Sequence, residues 1–403
     1  MSGKGILALR PHAAGIGRVL AAGFLLLAFG VAVAIAILVV RKQWHDGPYQ
    51  VSSDTRGMPE ADYSSLWAVG KLAAAGHAES AYDGPGFAAW RQEVFGPGLE
   101  RLDWLYPPPM IAMGAAAALL PLLPGYFLWL LLTSGLAIWA LRGAGLRWSV
   151  VLFGLFGPPT WRGMLLGQFA PLAAALTVAG LLRAGQAPIR AGLMVAFVTL
   201  KPQLGCLIPI VWLARRRWTA LAAVLAGTLA IVVVSTAMLG TEIWAAFLRG
   251  GGASGRALLE TVFVRGYPVN AASVFWMARS FGLPIFACYA VQIATALIAA
   301  GLAWMVARRH GETGAAVFAV CMALLVSPYL YASDLVAYSI VVAMLVMRRG
   351  TFAALPIFLW LCPGLSEVVV VLTGKVLLPV AVVIVAVLSW RAFDKPAPIE
   401  EAG

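Results

Sequence analysis

WTALAAVLAGTLAIVVVSTAML, residues Trp218–Leu239, holds no charged side chain. It exceeds the roughly 20 residues that a helix needs to cross the hydrocarbon core of a bilayer. Similar apolar runs recur along the chain, which is 62% hydrophobic and only 11% charged. Soluble domains are about one quarter charged, and the ten-residue alternation typical of a membrane β-barrel is missing. The sequence therefore predicts an all-α polytopic membrane protein, a single integral domain over residues 1–403 with about 12 transmembrane helices.

Basic residues lie between the apolar runs, and their distribution indicates how the chain is oriented in the membrane. Residues 19–40 follow a basic N-terminus and are too long for a typical signal peptide, so we interpret them as a retained transmembrane helix. The positive-inside rule places both termini and most basic loops in the cytoplasm, and this set carries the whole net charge of +12. Helix parity would instead put Arg142 and Arg147 outside, a conflict that the sequence leaves open. The distribution favours a multi-pass protein of a bacterial inner membrane and no nucleic-acid partner.

Two polar intervals are predicted to lie at the outer face. The first, residues 41–109, is mildly acidic and contains apolar residues at helical spacing from about Asp62 onward. A helix that has one apolar face and is too short to span lies in the membrane interface. The second interval, residues 240–283, contains three consecutive glycines at 250–252, which predict a flexible point. Two further stretches are interpreted as a turn, residues 82–86, and as a break between helices at an outer end, residues 363–367.

Polar residues interrupt two apolar segments in the middle of the chain. One segment is broken near residues 162–168 and the other at Lys201-Pro202-Gln203. A lysine at the bilayer centre costs at least about 2.5 kcal/mol, and proline breaks a helix interior. We therefore predict paired short helices whose broken tips meet at a polar cavity in the outer half of the membrane, where irregular backbone is tolerated.

Five motifs, in order along the chain, resemble those of glycosyltransferase family 87. They are Asp62-Tyr63 with Trp67-Ala68, Tyr106-Pro107-Pro108, Gly167-Gln168, Lys201-Pro202-Gln203-Leu204, and Ser327-Pro328-Tyr329 with Asp334-Leu335. Enzymes of this family have the GT-C fold, use polyprenyl-phosphate sugars and include α-1,2-mannosyltransferases. The resemblance implies a GT-C-type bundle that moves a sugar to a glycan or glycolipid acceptor at the outer membrane face. Some relatives carry a histidine after the late Ser-Pro motif, where this chain has Ser333-Asp334, so no histidine role is carried over.

The resemblance also implies roles for charged residues. Sugar transfer to a hydroxyl needs a base for the hydroxyl proton, and proton-transfer catalysis contributes about 10²- to 10⁴-fold. Asp62 matches the family's first-loop aspartate and is the predicted base of an inverting reaction, with Asp54 as a fallback; the alternative is that Asp62 only caps its helix. Lys201 is the predicted ligand of the donor phosphate, with Arg162 and Arg265 as secondary candidates. The alternative for Lys201 is a lysine that extends its charge to the membrane surface.

Other polar residues at the same membrane depth are candidates for substrate contact. They are Tyr106, Gln168, Gln203, Asn270 and Asp334. Helix capping, an ion pair for Asp334 and an interfacial aromatic belt are the competing explanations. The four histidines are scattered, so no metal site is predicted, although some enzymes of this fold class use a divalent ion and the acidic first loop is compatible with one. A transporter is the competing function, but it would more often bind substrate at the midplane between repeated halves, and no repeat is visible. A non-enzymatic scaffold is the third class.

Overall fold

A computed structural model describes residues 61–96, 102–263, 269–349 and 354–393. Regular structure in these residues is helical, and the first interval, the interrupted middle and the C-terminal region form one succession of helices. The α-helices are α1 (Ala61–Ala74), α2 (Gly84–Phe95), α3 (Pro108–Ala117), α4 (Leu122–Gly143), α5 (Trp148–Leu155), α6 (Pro158–Leu166), α7 (Ala170–Arg183), α8 (Pro188–Ala196), α9 (Ile208–Ala214), α10 (Trp218–Leu239), α11 (Glu242–Ala246), α12 (Gly252–Glu260), α13 (Val274–Ser280), α14 (Ile285–Arg309), α15 (Glu312–Val326), α16 (Val336–Arg349), α17 (Ala354–Thr373) and α18 (Leu378–Phe393). The predicted first transmembrane helix, residues 19–40, lies outside the described residues.

Four of these helices, α4, α10, α14 and α17, are long and apolar enough to cross a bilayer. Helix α10 shows the reason most clearly, because its large side chains face outward: Leu225 is 61% exposed, Leu229 53% and Val233 64%. Such a surface suits lipid and would be a large apolar patch in water. Six shorter apolar helical segments accompany the four spans. The all-helical membrane architecture is confirmed, whereas the count of about 12 spans stays a prediction.

The predicted interruptions in the middle of the chain are present. Helix α6 begins at Pro158-Pro159 and ends at Gly167, whose φ of 69° lies in the left-handed region. Helix α8 runs into a 3₁₀ turn, Phe197–Leu200, and a second one, Pro202–Leu204, follows Lys201. Proline at the first positions of a helix is tolerated because those amides have no helical partner. The prolines and the glycine therefore break both segments where the sequence predicts.

Helix α1 begins where predicted, but most of its length lacks the predicted division into one apolar and one polar face. From Tyr63 to Gly70 every residue is buried, whereas Asp62 is half-buried and Lys71 and Ala74 are exposed. Its position in the membrane interface stays a prediction. The helix crosses α3 at a glycine pair: a Cβ on Gly70 would lie 1.9 Å from the carbonyl oxygen of Gly114. Trp67 Nε1 donates to the Leu120 carbonyl at 2.9 Å. This close crossing buries both faces of α1 and makes the helix part of the core.

Three local predictions are corrected by tertiary contacts. Residues 363–367 do not separate two helices, because α17 continues through Pro363. The glycines at 250–252 lie within a helical stretch of α11, a π-turn and α12, and a Cβ on Gly250 would lie 2.1 Å from the carbonyl oxygen of Tyr82. Glycine therefore permits a close backbone approach there. The predicted turn at 82–86 is the junction at Asp83 between a 3₁₀ helix, Ala78–Tyr82, and α2, which begins at Gly84 and has Pro85 in its first turn.

Candidate functional site

A chain of polar side chains joins four distant parts of the sequence. Gln168 Nε2 donates to Asp62 Oδ2 at 3.0 Å, and Lys201 Nζ donates to Gln168 Oε1 at 3.2 Å. Lys201 also forms an ion pair with Asp334. We call these four residues the polar network. It places a carboxylate and an ammonium group on the two ends of one glutamine amide.

Gln168 owes its position to the end of helix α6. Gly167 adopts a left-handed conformation, which glycine reaches without the steric cost of a side chain. A Cβ at Gly167 would lie 2.4 Å from Tyr63 Cβ, so the backbone also passes against α1. Tyr126 donates its hydroxyl to the Met164 carbonyl at 2.8 Å, and Trp129 Nε1 donates to the Gly167 carbonyl at 2.9 Å. These contacts hold the turn that directs Gln168 toward Asp62.

Lys201 and Asp334 are both nearly inaccessible to solvent, at 4% and 1% exposure. Lys201 lies between the two 3₁₀ turns, where the helix is broken. Asp334 ends a third 3₁₀ turn, Ala332–Asp334, and its Oδ2 accepts from the Tyr331 amide at 3.2 Å. A buried charge that loses its partner is strongly destabilising. The two residues therefore neutralise each other in the core.

Tyr106 closes one side of the polar network. The Lys201 ammonium lies 5.9 Å from the centroid of its ring, a cation–π distance. The Tyr106 carbonyl accepts from the Tyr82 hydroxyl at 2.8 Å. Burial raises the pKa of Tyr106 to about 12, although Lys201 acts in the opposite direction. The phenol is therefore a neutral hydrogen-bonding group at neutral pH.

Asp62 is half-buried in the first turn of α1, outside the apolar segments that suit a membrane span. Burial raises its pKa above the ordinary value, and this effect outweighs the Gln168 hydrogen bond and the charge of Lys201, which lower it. A higher pKa makes a carboxylate a stronger proton acceptor. The site therefore contains a carboxylate suited to general-base chemistry.

Two arginines act on Asp62 from further away. Arg162 on α6 interacts electrostatically with Asp62 and forms an ion pair with Glu367 on α17. Arg91 on α2 is 2% exposed, and burial lowers its pKa to about 10 while Asp62 opposes the shift. No sequence signal singles out Arg91, because one basic residue in a polar loop helix forms no motif. The pairing of Arg162 with Glu367 likewise has no sequence signal, because the two residues lie on different helices far apart in the chain.

Not every predicted site residue joins the polar network. Gln203 lies beside Lys201 but bonds through its backbone carbonyl, to Cys206 Sγ at 3.4 Å. Asn270 contributes its carbonyl to the Ala332 amide at 2.8 Å, in a short antiparallel bridge beside the Asp334 turn. Asp54 and Arg265 lie outside the described residues. The catalytic and binding roles of all these residues stay predictions.

Metal-ligating side chains do not gather in the part of the chain that the structure describes. No group of three or more histidine, cysteine, aspartate or glutamate residues there is placed to hold an ion. Asp62 and Asp334, the two carboxylates of the polar network, are each engaged by a nitrogen donor. Residues 41–60 of the acidic first loop, which the sequence leaves compatible with a divalent ion, lie outside the described residues.

The fold and the site together define a helical membrane protein in which a buried lysine–aspartate pair lies beside a half-buried carboxylate, Asp62. Comparison with protein families adds the chemistry: the model of glycosyltransferase family 87 matches residues 104–328, more than half of the chain. The chain belongs to this family and is a membrane glycosyltransferase. No curated protein and no solved structure matches it.

The matched region contains only part of the polar network. Gln168 and Lys201 lie inside residues 104–328, whereas Asp62 precedes that region and Asp334 follows it. A hydrogen bond from Gln168 connects Asp62 to the matched segment, and the ion pair with Lys201 connects Asp334 to it. The first-loop and late motifs of the sequence are thus joined in space to the family's central region.

Proposed function

We propose that this glycosyltransferase moves a sugar from a polyprenyl-phosphate donor to an acceptor hydroxyl at the outer face of the cytoplasmic membrane. The observation that carries the proposal is the sharing of one glutamine amide by a carboxylate, Asp62, and a buried ammonium group, Lys201. The reaction needs these two kinds of group, a proton acceptor and a cation for the leaving phosphate. A GT-C-type bundle and a bacterial inner membrane belong to the same proposal.

Asp62 is the general base in this scheme. The acceptor oxygen attacks the anomeric carbon of the donor sugar, its proton passes to Asp62, and the bond from the anomeric carbon to the phosphate oxygen breaks. The electron pair of that bond leaves with the polyprenyl phosphate. A single displacement of this kind inverts the anomeric configuration, and one base is sufficient for it. The raised pKa of Asp62 favours proton transfer to it as the acceptor oxygen develops its bond.

Lys201 binds the phosphate in this scheme. Its charge is balanced by Asp334 and its geometry is set by Gln168 and the Tyr106 ring. A lysine held in a site of low dielectric constant interacts with a phosphate more strongly than one in water. The donor phosphate would share Lys201 with Asp334, whereas Arg162, the secondary candidate, is paired with Glu367. The phosphate would thus be bound on the side of the network opposite the base.

Gln168 has a positioning role in the proposal. Its amide nitrogen donates to the base and its amide oxygen accepts from the phosphate-binding lysine, so one planar group sets the separation of the two. Misplacing reacting groups by about 1 Å is enough to reduce a rate 10²-fold. The sugar would therefore occupy the space in front of this amide, between base and lysine.

The test uses purified protein in nanodiscs with a panel of polyprenyl-phosphate hexoses, mannose included, and pentoses. Wild type is expected to release polyprenyl phosphate and glycosylate an acceptor, and Asp62→Asn to lose about 10²- to 10⁴-fold in rate. Asp83→Asn is the matched control, because Asp83 is an exposed aspartate just before α2. It should retain the wild-type rate.

Three outcomes would count against parts of the proposal. Transfer that survives in Asp62→Asn removes the base assignment and leaves the enzyme class. Retention of the anomeric configuration in the product removes the single displacement. Binding of the panel without transfer by wild type, and movement of a lipid across the bilayer instead, would support a transporter.

A further inference from the structure

A concave surface with exposed apolar side chains lies apart from the polar network. It is a groove of about 710 Å³ between helices α4, α7 and α8. Leu172 and Leu176 form its floor, and Leu193 and Phe197 form a rim that is about half exposed, at 47% and 51%. The volume lies within the usual range of small-molecule sites, roughly 300–1,000 Å³. The walls are apolar along the whole length of the groove.

One charged residue lines this groove, at the end where α8 begins. Arg190 is exposed, and its guanidinium carbon lies 4.6 Å from the centroid of the Trp139 ring. A Cβ on Gly143 would lie 3.6 Å from Arg190 Nη2, so the guanidinium lies beside the end of α4. An arginine that contacts an aromatic face in this way can still donate its N–H groups to an anion.

Among the described residues, Arg190 forms no ion pair with an aspartate or glutamate. The sequence has no aspartate or glutamate between Asp103 and Glu242. Within the described residues Arg190 has no carboxylate partner, and Glu312, which approaches Gly185 near the start of α8, is paired with Arg217 at 3.3 Å. An arginine that is stacked, exposed and not neutralised fits an anion with several oxygen atoms, such as a phosphate.

We propose that this groove is a binding site for an anionic phospholipid of the surrounding bilayer. One acyl chain lies in the groove along α8, and the phosphate contacts Arg190. This site goes beyond the proposed transfer reaction, since its cation is not the one assigned to the donor. Lys201 lies beyond the other end of α8, after the 3₁₀ turn Phe197–Leu200. The two ends of the α8 segment thus face two different phosphates.

Native mass spectrometry of the intact protein tests the proposal. Protein released from nanodiscs of equal parts phosphatidylglycerol and phosphatidylcholine is scored for retained lipid. Wild type is expected to retain phosphatidylglycerol in preference to phosphatidylcholine. In Arg190→Ala the ratio of retained phosphatidylglycerol to phosphatidylcholine should fall about tenfold, which is the effect of losing one charged hydrogen-bonded contact. Arg190→Lys should recover part of it. Leu193→Trp, which fills the groove without changing charge, should reduce retention of both lipids.

Arg256→Ala is the matched control, because Arg256 is an exposed arginine on α12, away from the groove. Equal loss of phosphatidylglycerol in Arg190→Ala and Arg256→Ala would overturn the proposal, because the effect would then be one of net charge. Unchanged retention in Leu193→Trp would also overturn it. A different result would assign the groove to the lipid tail of the donor. In that case undecaprenyl phosphate would displace phosphatidylglycerol from wild type but would not displace it from Lys201→Ala. None of these readouts uses sugar transfer, so failure here and failure of the proposed reaction are distinguishable.

Discussion

Replacing Lys201 with methionine removes the ammonium group and leaves the Asp334 carboxylate buried at 1% exposure. Loss of one partner of a buried ion pair costs about 3–5 kcal/mol, because the remaining charge is unsolvated. Lys201→Met should therefore lower the free energy of unfolding by about that amount. Its hydrogen bond to Gln168 is lost at the same time, so transfer activity should fall to background.

A second substitution separates the structural role of the lysine from its chemical role. Asp334→Asn keeps an oxygen that can accept from the Tyr331 amide while removing the charge. The double variant Lys201→Met with Asp334→Asn leaves no unpaired charge, so it should recover about 2–4 kcal/mol of the loss. Activity should not return, because the phosphate still lacks its cation.

Equilibrium unfolding by dodecyl sulfate in mixed micelles measures the stabilities, and nanodisc transfer measures activity. The pair of Arg217 and Glu312 is the internal control: the two side chains are 31% and 26% exposed, and Arg217→Met should cost under about 1 kcal/mol. If Lys201→Met is no more destabilising than Arg217→Met, the buried pair of Lys201 and Asp334 does not stabilise the fold as proposed. If the double variant recovers activity together with stability, Lys201 is structural and does not bind phosphate.

Three further predictions concern the same site. Because burial raises the pKa of Asp62, its charged form is disfavoured in the folded protein, so Asp62→Asn should be as stable as wild type or more stable at pH 7.5. That difference should vanish below the ordinary pKa of 3.8, and dodecyl sulfate unfolding at both pH values measures it; a less stable variant at pH 7.5 contradicts the assignment. Gly167→Ala should lose activity and at least about 2 kcal/mol of stability, because a methyl group would meet Tyr63 and strain a positive φ, whereas Gly145→Ala, with φ 86° and open space, should lose only about 1 kcal/mol. Gln168→Glu adds a negative charge beside Asp62, so the acid limb of the pH–rate profile should move to higher pH. A limb that stays at the same pH would show that Asp62 is not the titrating base.

Part of the candidate site could be predicted from the sequence. Lysine and proline side by side in an apolar segment predicted the helix break at Lys201, because both residues oppose a continuous helix at membrane depth. Gly167-Gln168 marked the other break. The family resemblance then selected Asp62 from several acidic residues in the first loop. In each case the signal is local, or is a motif that needs no knowledge of the fold.

Other features depended on contacts between distant helices. Helical spacing around Asp62 indicated one apolar face, yet α1 is buried on both because Gly70 lets it cross α3 at backbone contact. Proline and glycine at 363–364 were read as a break, yet α17 continues there, where a Cβ on Gly364 would lie 2.8 Å from Pro158. Local propensity is a weak guide when packing against a neighbour supplies more energy than the turn preference of a few residues.

The amino-acid sequence by itself determined that this chain is a helical membrane protein, where its middle helices break, and which family it belongs to. Apolar length, proline and glycine act within a few residues, so these properties can be read along the chain. The tertiary structure alone decided that Asp62, Gln168, Lys201 and Asp334 meet. Gln168 and Asp62 are 106 positions apart and Lys201 and Gln168 are 33 apart, and no local rule joins them. They meet because buried polar groups must find partners once the apolar helices around them have packed.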